Sequence, residues 1–199
     1  MVIFQIIVFV FLVIIHEVSH GLMAKELGDD TAEKMGRLTL NPLAHLDPFG
    51  SVLLPLMMYL FTEGKLIFGW AKPVPYNPLN LKHPLKDQCL IALAGPLANL
   101  VLALLFGLVI RFVPFLPSFM IPYLALVAYI SIMFAIFNLI PLPPLDGSKV
   151  LFYLFPSWKL EAFLNRYGPI LLLVVIFFGW NFIQPVIDEL FTLMTGLAV

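Results

Sequence analysis

The chain opens with an apolar run that closes on ionisable residues. From Val2 to Ile15 the only polar side chain is Gln5, and the run leads straight into His16-Glu17-Val18-Ser19-His20. About 20 helical residues cross the roughly 30 Å hydrocarbon core of a bilayer, so residues 2–24 read as a span with the histidines near one membrane face. Ionisable groups are costly at that depth and mark function by default. Their spacing supplies a chemistry. Residues i and i+4 share a helix face, so His16 and His20 can both bind one zinc ion, at about 2.0–2.1 Å. Glu17 lies one step round the helix and can reach a metal-bound water as general base.

Composition sets the class. Of 199 residues, 61% are hydrophobic and only 12% charged, about half the charge of an ordinary soluble domain. The expected fold is an all-α polytopic membrane protein, one domain over 1–199, with about four transmembrane helices at 2–24, 88–110, 122–141 and 168–187. The N-terminal run has no basic region and no small-residue cleavage site, so it reads as a retained span. The formal net charge of −1 points to no nucleic-acid partner. Cys89 is the single cysteine, which precludes an internal disulfide and reads as an inert buried thiol.

Between the spans, the apolar stretch at 50–70 is interrupted by Thr62, Glu63, Gly64 and Lys65, and reads as re-entrant or interfacial. Residues Arg37-Leu38-Thr39-Leu40-Asn41-Pro42 alternate polar and apolar, a weak strand signal. Residues 72–87 are rich in proline and lysine and read as an extended aqueous or interfacial loop. His45, Asp47 and His83 read as solvated loop residues rather than ligands. Asn99, at membrane depth, reads as an interhelical hydrogen-bonding residue. Residues 148–167 are amphipathic. The third span ends in Asn138-Leu-Ile-Pro-Leu-Pro-Pro-Leu-Asp146-Gly147, where prolines break the helix. Irregular backbone at that depth survives only inside protein or beside a wet cavity.

A catalytic zinc needs a third protein ligand and an open position for water. Asp146, just past the broken helix, stands out. It can meet the histidines only if the first and third spans run the same way, which requires residues 50–70 not to cross. That topology puts ten Lys and Arg residues on one side and Arg111 alone on the other, against seven to four if 50–70 spans. The positive-inside rule favours the ten-to-one split, with the site toward the cytoplasmic face.

With these pieces placed, His16-Glu17-Val18-Ser19-His20, Ala94-Gly-Pro-Leu-Ala-Asn99 and Asn138 through Leu145-Asp146-Gly147, the chain resembles the site-2 protease family of intramembrane zinc metalloproteases. It looks like a short-form member, with no PDZ-like insert. The resemblance implies one Zn2+ per chain held by His16, His20 and Asp146, with Glu17 as catalytic acid/base. It implies that Asn138 positions the scissile carbonyl or stabilises its oxyanion. It implies that Arg37, Leu38, Thr39 and Leu40 belong to a small membrane-associated β-region that receives an unwound substrate strand. The expected activity is endoproteolysis of transmembrane substrate helices near the cytoplasmic face, with the bilayer and a second copy of the chain as further candidate partners. The competing reading is an ion- or proton-coupled transporter built on the same His, Glu and Asp cluster. Against it stands the lack of an inverted repeat.

Overall fold

An apolar sequence without proline gives α1 (Val2–Glu26), 25 residues and about 37 Å at 1.5 Å per residue. It ends at Gly28, whose φ of 102° suits glycine. The computed structural model describes residues 2–53, 57, 60, 61 and 72–198. After a short α2 (Thr31–Lys34), helix α3 (Pro84–Phe112) begins with Pro84 in its first turn, where no amide hydrogen is needed, and carries Pro96 inside it. Helix α4 (Ile121–Asn138) stops before the prolines, three residues short of the expected boundary. A turn containing the cis Pro143–Pro144 bond leads to α5 (Gly147–Leu154).

The last span differs from expectation. Helix α6 (Trp158–Val174), a π-helical segment (Val175–Gly179) and α7 (Trp180–Thr195) run on as one helical stretch. The amphipathic segment therefore continues into the span through Pro169, which lies inside the helix. Ser157 caps its start, accepting from Leu160 N at 3.4 Å, and Gly196, at φ 75°, ends it. Proline is tolerated inside membrane helices because local π adjustment and neighbouring groups absorb the lost hydrogen bond. Four helical stretches are thus long and apolar enough to span a membrane.

Contacts fix the helix directions. Phe4, near the start of α1, packs edge-on against Tyr123, near the start of α4, at 5.1 Å between ring centroids. His16, further along α1, lies 4.8 Å from Phe134, near the end of α4. The two helices therefore run parallel. On α3 the order reverses: His20 meets Ile91 and His16 meets Asn99, so α3 is antiparallel to α1. Helix α7 follows the direction of α3, since Arg111 donates to the Leu193 carbonyl at 2.9 Å. Ala103, Ala128, Ile132, Ile187 and Phe191 form the core between α3, α4 and α7. Small residues bring the backbones close there. A Cβ on Gly107 would lie 2.8 Å from the Met194 carbonyl oxygen.

Helix α1 ends and α3 begins at the same end of the bundle, so the chain between them makes no net crossing. Most of the expected re-entrant stretch 50–70 lies outside the described residues, and 50–53 belong to a π-helical turn, Pro48–Leu53. The expected strand at 36–42 is not formed, and no strand occurs among the described residues. Its polar groups bond locally instead. Arg37 N donates to Ala32 O at 2.9 Å, Asn41 N to Thr39 Oγ1 at 3.2 Å, and the Asn41 side chain caps the 3-10 turn at Pro42–His45. Two-residue alternation without a partner edge does not make a ladder.

Asp29 organises this polar connection. It is fully buried and accepts from Thr31 Oγ1 at 2.5 Å, Asn77 N at 2.7 Å and Asn80 Nδ2 at 2.6 Å. Burial pushes its carboxyl up, and these donors outweigh that and hold it below the ordinary value. A lowered folded pKa stabilises above the unfolded pKa and is lost as pH falls through the folded one. Asp29→Asn should therefore lower the melting temperature in detergent at neutral pH, and the gap to wild type should close below about pH 4. Thermal unfolding of both proteins between pH 3 and 7 checks this.

Candidate metal centre

Helical spacing on α1 sets His16 and His20 side by side, their rings 4.6 Å apart and nearly perpendicular. Both are buried. The proline break after α4 turns the chain back so that Asp146 Oδ2 lies 3.1 Å from His16 Nε2 and 3.3 Å from His20 Nε2. Among the described residues these three form the one His/Cys/Asp/Glu group able to hold a metal ion.

The donor set fits zinc. Tetrahedral ligands at 2.0–2.1 Å stand about 3.3 Å apart, close to the two distances found. Asp146 Oδ2 is buried yet meets no aligned hydrogen-bond donor among the described residues. The three candidate ligand atoms all lie within 4.8 Å of one another. Burial raises the Asp146 carboxyl, and the His16 and His20 side chains beside it outweigh this, holding it at about 2. Two imidazoles and a carboxylate are a donor set suited to zinc.

The far nitrogens of the rings are also held. His20 Nδ1 lies 2.7 Å from the Ile91 carbonyl oxygen. Its N–H donates there, leaving the Nε2 lone pair for a metal. His16 Nδ1 lies 3.4 Å from Asn99 Nδ2, while Asn99 Oδ1 is buried without a partner. Turning the amide over satisfies both, with Oδ1 accepting from His16 Nδ1–H. The expected interhelical role of Asn99 is thus directed at a candidate ligand.

Sequence reading missed Gly95. A Cβ there would sit 2.6 Å from His20 Nε2 and 2.7 Å from His16 Cε1. Both imidazoles press on the α3 backbone, and only glycine leaves them room. The AGP triplet carried that signal as a close helix approach.

A cavity of about 230 Å3 opens beside the three ligands, walled by Glu17, Asn138 and Asp146 on one side and Val74, Tyr76 and Lys149 among its other residues. Glu17 Oε2 accepts from the Val74 backbone N–H at 2.8 Å. Asn138 Nδ2 donates to Phe134 O at 2.9 Å, which leaves its second amide hydrogen for another acceptor. Of the residues expected at a substrate strand, Arg37 is buried and Leu40 is exposed. The Arg37 guanidinium donates to the Lys72 and Pro73 carbonyls at 2.7 and 3.3 Å. Leu38 packs where a Cβ of Gly21 would be, and the Thr39 carbonyl pairs with His45 Nε2 at 2.8 Å. His45 is therefore a buried loop residue outside the ligand group, not a solvated one. Asp47 caps the π-helical turn, accepting from Phe49 N and Gly50 N.

The profile of Peptidase family M50 matches residues 4–119 and 116–181. The chain belongs to that family, and four of its helical stretches are long and apolar enough to cross a membrane. It is 40% identical over 149 residues, 71% of its length, to "Putative zinc metalloprotease YwhC" of Bacillus subtilis. It is 33% identical over 135 residues, 67% of its length, to "Putative zinc metalloprotease Rip2" of Mycolicibacterium smegmatis. The matched stretch spans 64% of the Bacillus protein and 50% of the Mycolicibacterium protein. No solved structure matches the chain.

Gly95→Ala isolates the ligand geometry, because alanine is the better helix former by about 1 kcal/mol. Zinc affinity should nevertheless fall by about tenfold or more, and Asn99→Ala should weaken it by about 10- to 100-fold. Competition with a chromophoric chelator measures both.

Proposed function

We propose that this chain is an intramembrane zinc endopeptidase, with one zinc per chain, that hydrolyses peptide bonds of transmembrane substrate helices near the cytoplasmic face. The observation that carries this reading is the convergence of His16, His20 and Asp146 beside Glu17, at the ends of two parallel spans.

A bound zinc would lower the pKa of its water to about 7 and polarise the scissile carbonyl. The chain's own residues supply the rest. Glu17 holds one oxygen, Oε1, outside its contact with Val74 and takes the proton of the attacking water. It returns that proton to the leaving amine. Asn138 offers its second amide hydrogen to the oxygen on which charge develops. A substrate helix must unwind first, since its carbonyls are otherwise bonded within the helix. The exposed Leu40 and its neighbours Leu38 and Thr39 are proposed to line the path of the unwound strand, with Arg37 acting behind them.

The cytoplasmic placement rests on charge. Lys25, Lys34, Arg37, Lys72, Lys82, Lys86, Lys149, Lys159 and Arg166 belong to the end of the bundle that holds the site, and Arg111 to the other. The transporter reading gains nothing from the geometry, because the ionisable groups close on one point instead of forming a relay.

The test uses purified protein in liposomes with a panel of single-span substrates. Glu17→Gln should keep zinc and lose at least about 100-fold in turnover. His16→Ala and Asp146→Ala should lose zinc itself. Full activity in Glu17→Gln would contradict the assignment.

A further inference from the structure

Residues 72–77 form a strap without regular secondary structure, and Pro73, Val74 and Tyr76 of it line the cavity beside the candidate ligands. With prolines at 73, 75 and 78, only Val74, Tyr76 and Asn77 carry an amide hydrogen between Pro73 and Pro78. Two of these three have side-chain carboxylates as partners. Val74 N donates to Glu17 Oε2 at 2.8 Å, and Asn77 N donates to Asp29 Oδ2 at 2.7 Å.

The strap is anchored at both ends by buried charges. Arg37, 5% exposed, donates to the Lys72 and Pro73 carbonyls, and Lys72 N bonds to His45 O at 2.9 Å. Asp29, 0% exposed, holds Asn77 and Asn80. The Val74 side chain packs where a Cβ of Gly21 would be, one turn along α1 from Glu17. A buried charge is retained at such cost only when its partners hold it. Here both charges act on the backbone that flanks one amide.

We propose that Arg37 and Asp29 are positioning residues. They fix the strap so that the Val74 N–H grips one oxygen of Glu17 and leaves the other free to act as base on a water that a bound zinc would hold. This rests on Glu17 being the base. The strap sets the rotamer of that base and is separate from the metal ligands. Loosening it therefore lowers kcat and leaves zinc binding and KM in place.

Val74→Pro removes the single hydrogen and keeps the extended backbone, since a residue before Pro75 already favours that region. Replacing Val74 by its α-hydroxy acid, which changes only N–H to O, provides the same deletion should the proline variant fail to fold. Either change should lower kcat about 10- to 100-fold, the effect of one hydrogen bond to a charged group. KM and zinc content should stay within about twofold of wild type. Arg37→Gln should lower kcat similarly, with partial rescue in Arg37→Lys. Combining Arg37→Gln with the Val74 change should add less than about threefold, because both act through one bond. Unchanged kcat on deletion of the hydrogen, with Glu17→Gln inactive, would overturn the strap's role alone. Raised kcat would make the contact inhibitory and overturn it too, as would full additivity. An active Glu17→Gln would remove the base itself, and both readings with it.

Discussion

Burying two imidazoles and a carboxylate at the ends of apolar helices is costly unless the three satisfy one another through a common cation. Much of what departs from plain apolar helix in this chain serves that convergence. Parallel packing of α1 and α4 brings His16 and His20 to the same end as Asp146. The proline break lets the backbone turn Asp146 inward. Gly95 removes the one Cβ that would push both rings away. The Ile91 carbonyl and the Asn99 amide hold the far ring nitrogens.

The polar connection follows the same logic with the opposite sign of exposure. Asp29 and Arg37 are buried in a region whose ends lie outside the apolar spans, and both bond main-chain groups of one segment. Their partners belong to the proline-rich strap, which cannot form a ladder of its own. The result is a rigid extended segment with one amide directed at Glu17. The contacts to His16 and His20 and the contact to Glu17 thus come from different parts of the chain.

The spans were legible because uninterrupted apolar runs have few alternatives in water or lipid, and the grouping of His16, His20 and Asp146 because helical spacing and the proline break place them at one end of the bundle. The charge asymmetry of the loops also implied that α1 and α4 run parallel, as they do. Other features depended on tertiary partners. The alternation at 36–42 suggested a strand, but period two says nothing without an edge to pair with, and local bonds to Thr39 and Asn41 win. The amphipathic segment and the last span were read as separate, whereas one helical stretch carries both, with Pro169 inside it. The strap's target could not be read, although the Pro-Val-Pro pattern already singled out one amide hydrogen. Gly95 could be read as a close approach, but not as one made to two imidazoles.

The central claim is that His16, His20 and Asp146 bind one zinc ion. Zinc K-edge X-ray absorption on the purified protein tests it most directly. The geometry predicts a first shell of two imidazole nitrogens and light oxygen atoms at about 2.0–2.1 Å, with no sulfur. A sulfur shell near 2.3 Å, a single imidazole, or well-folded protein that retains no zinc would contradict it.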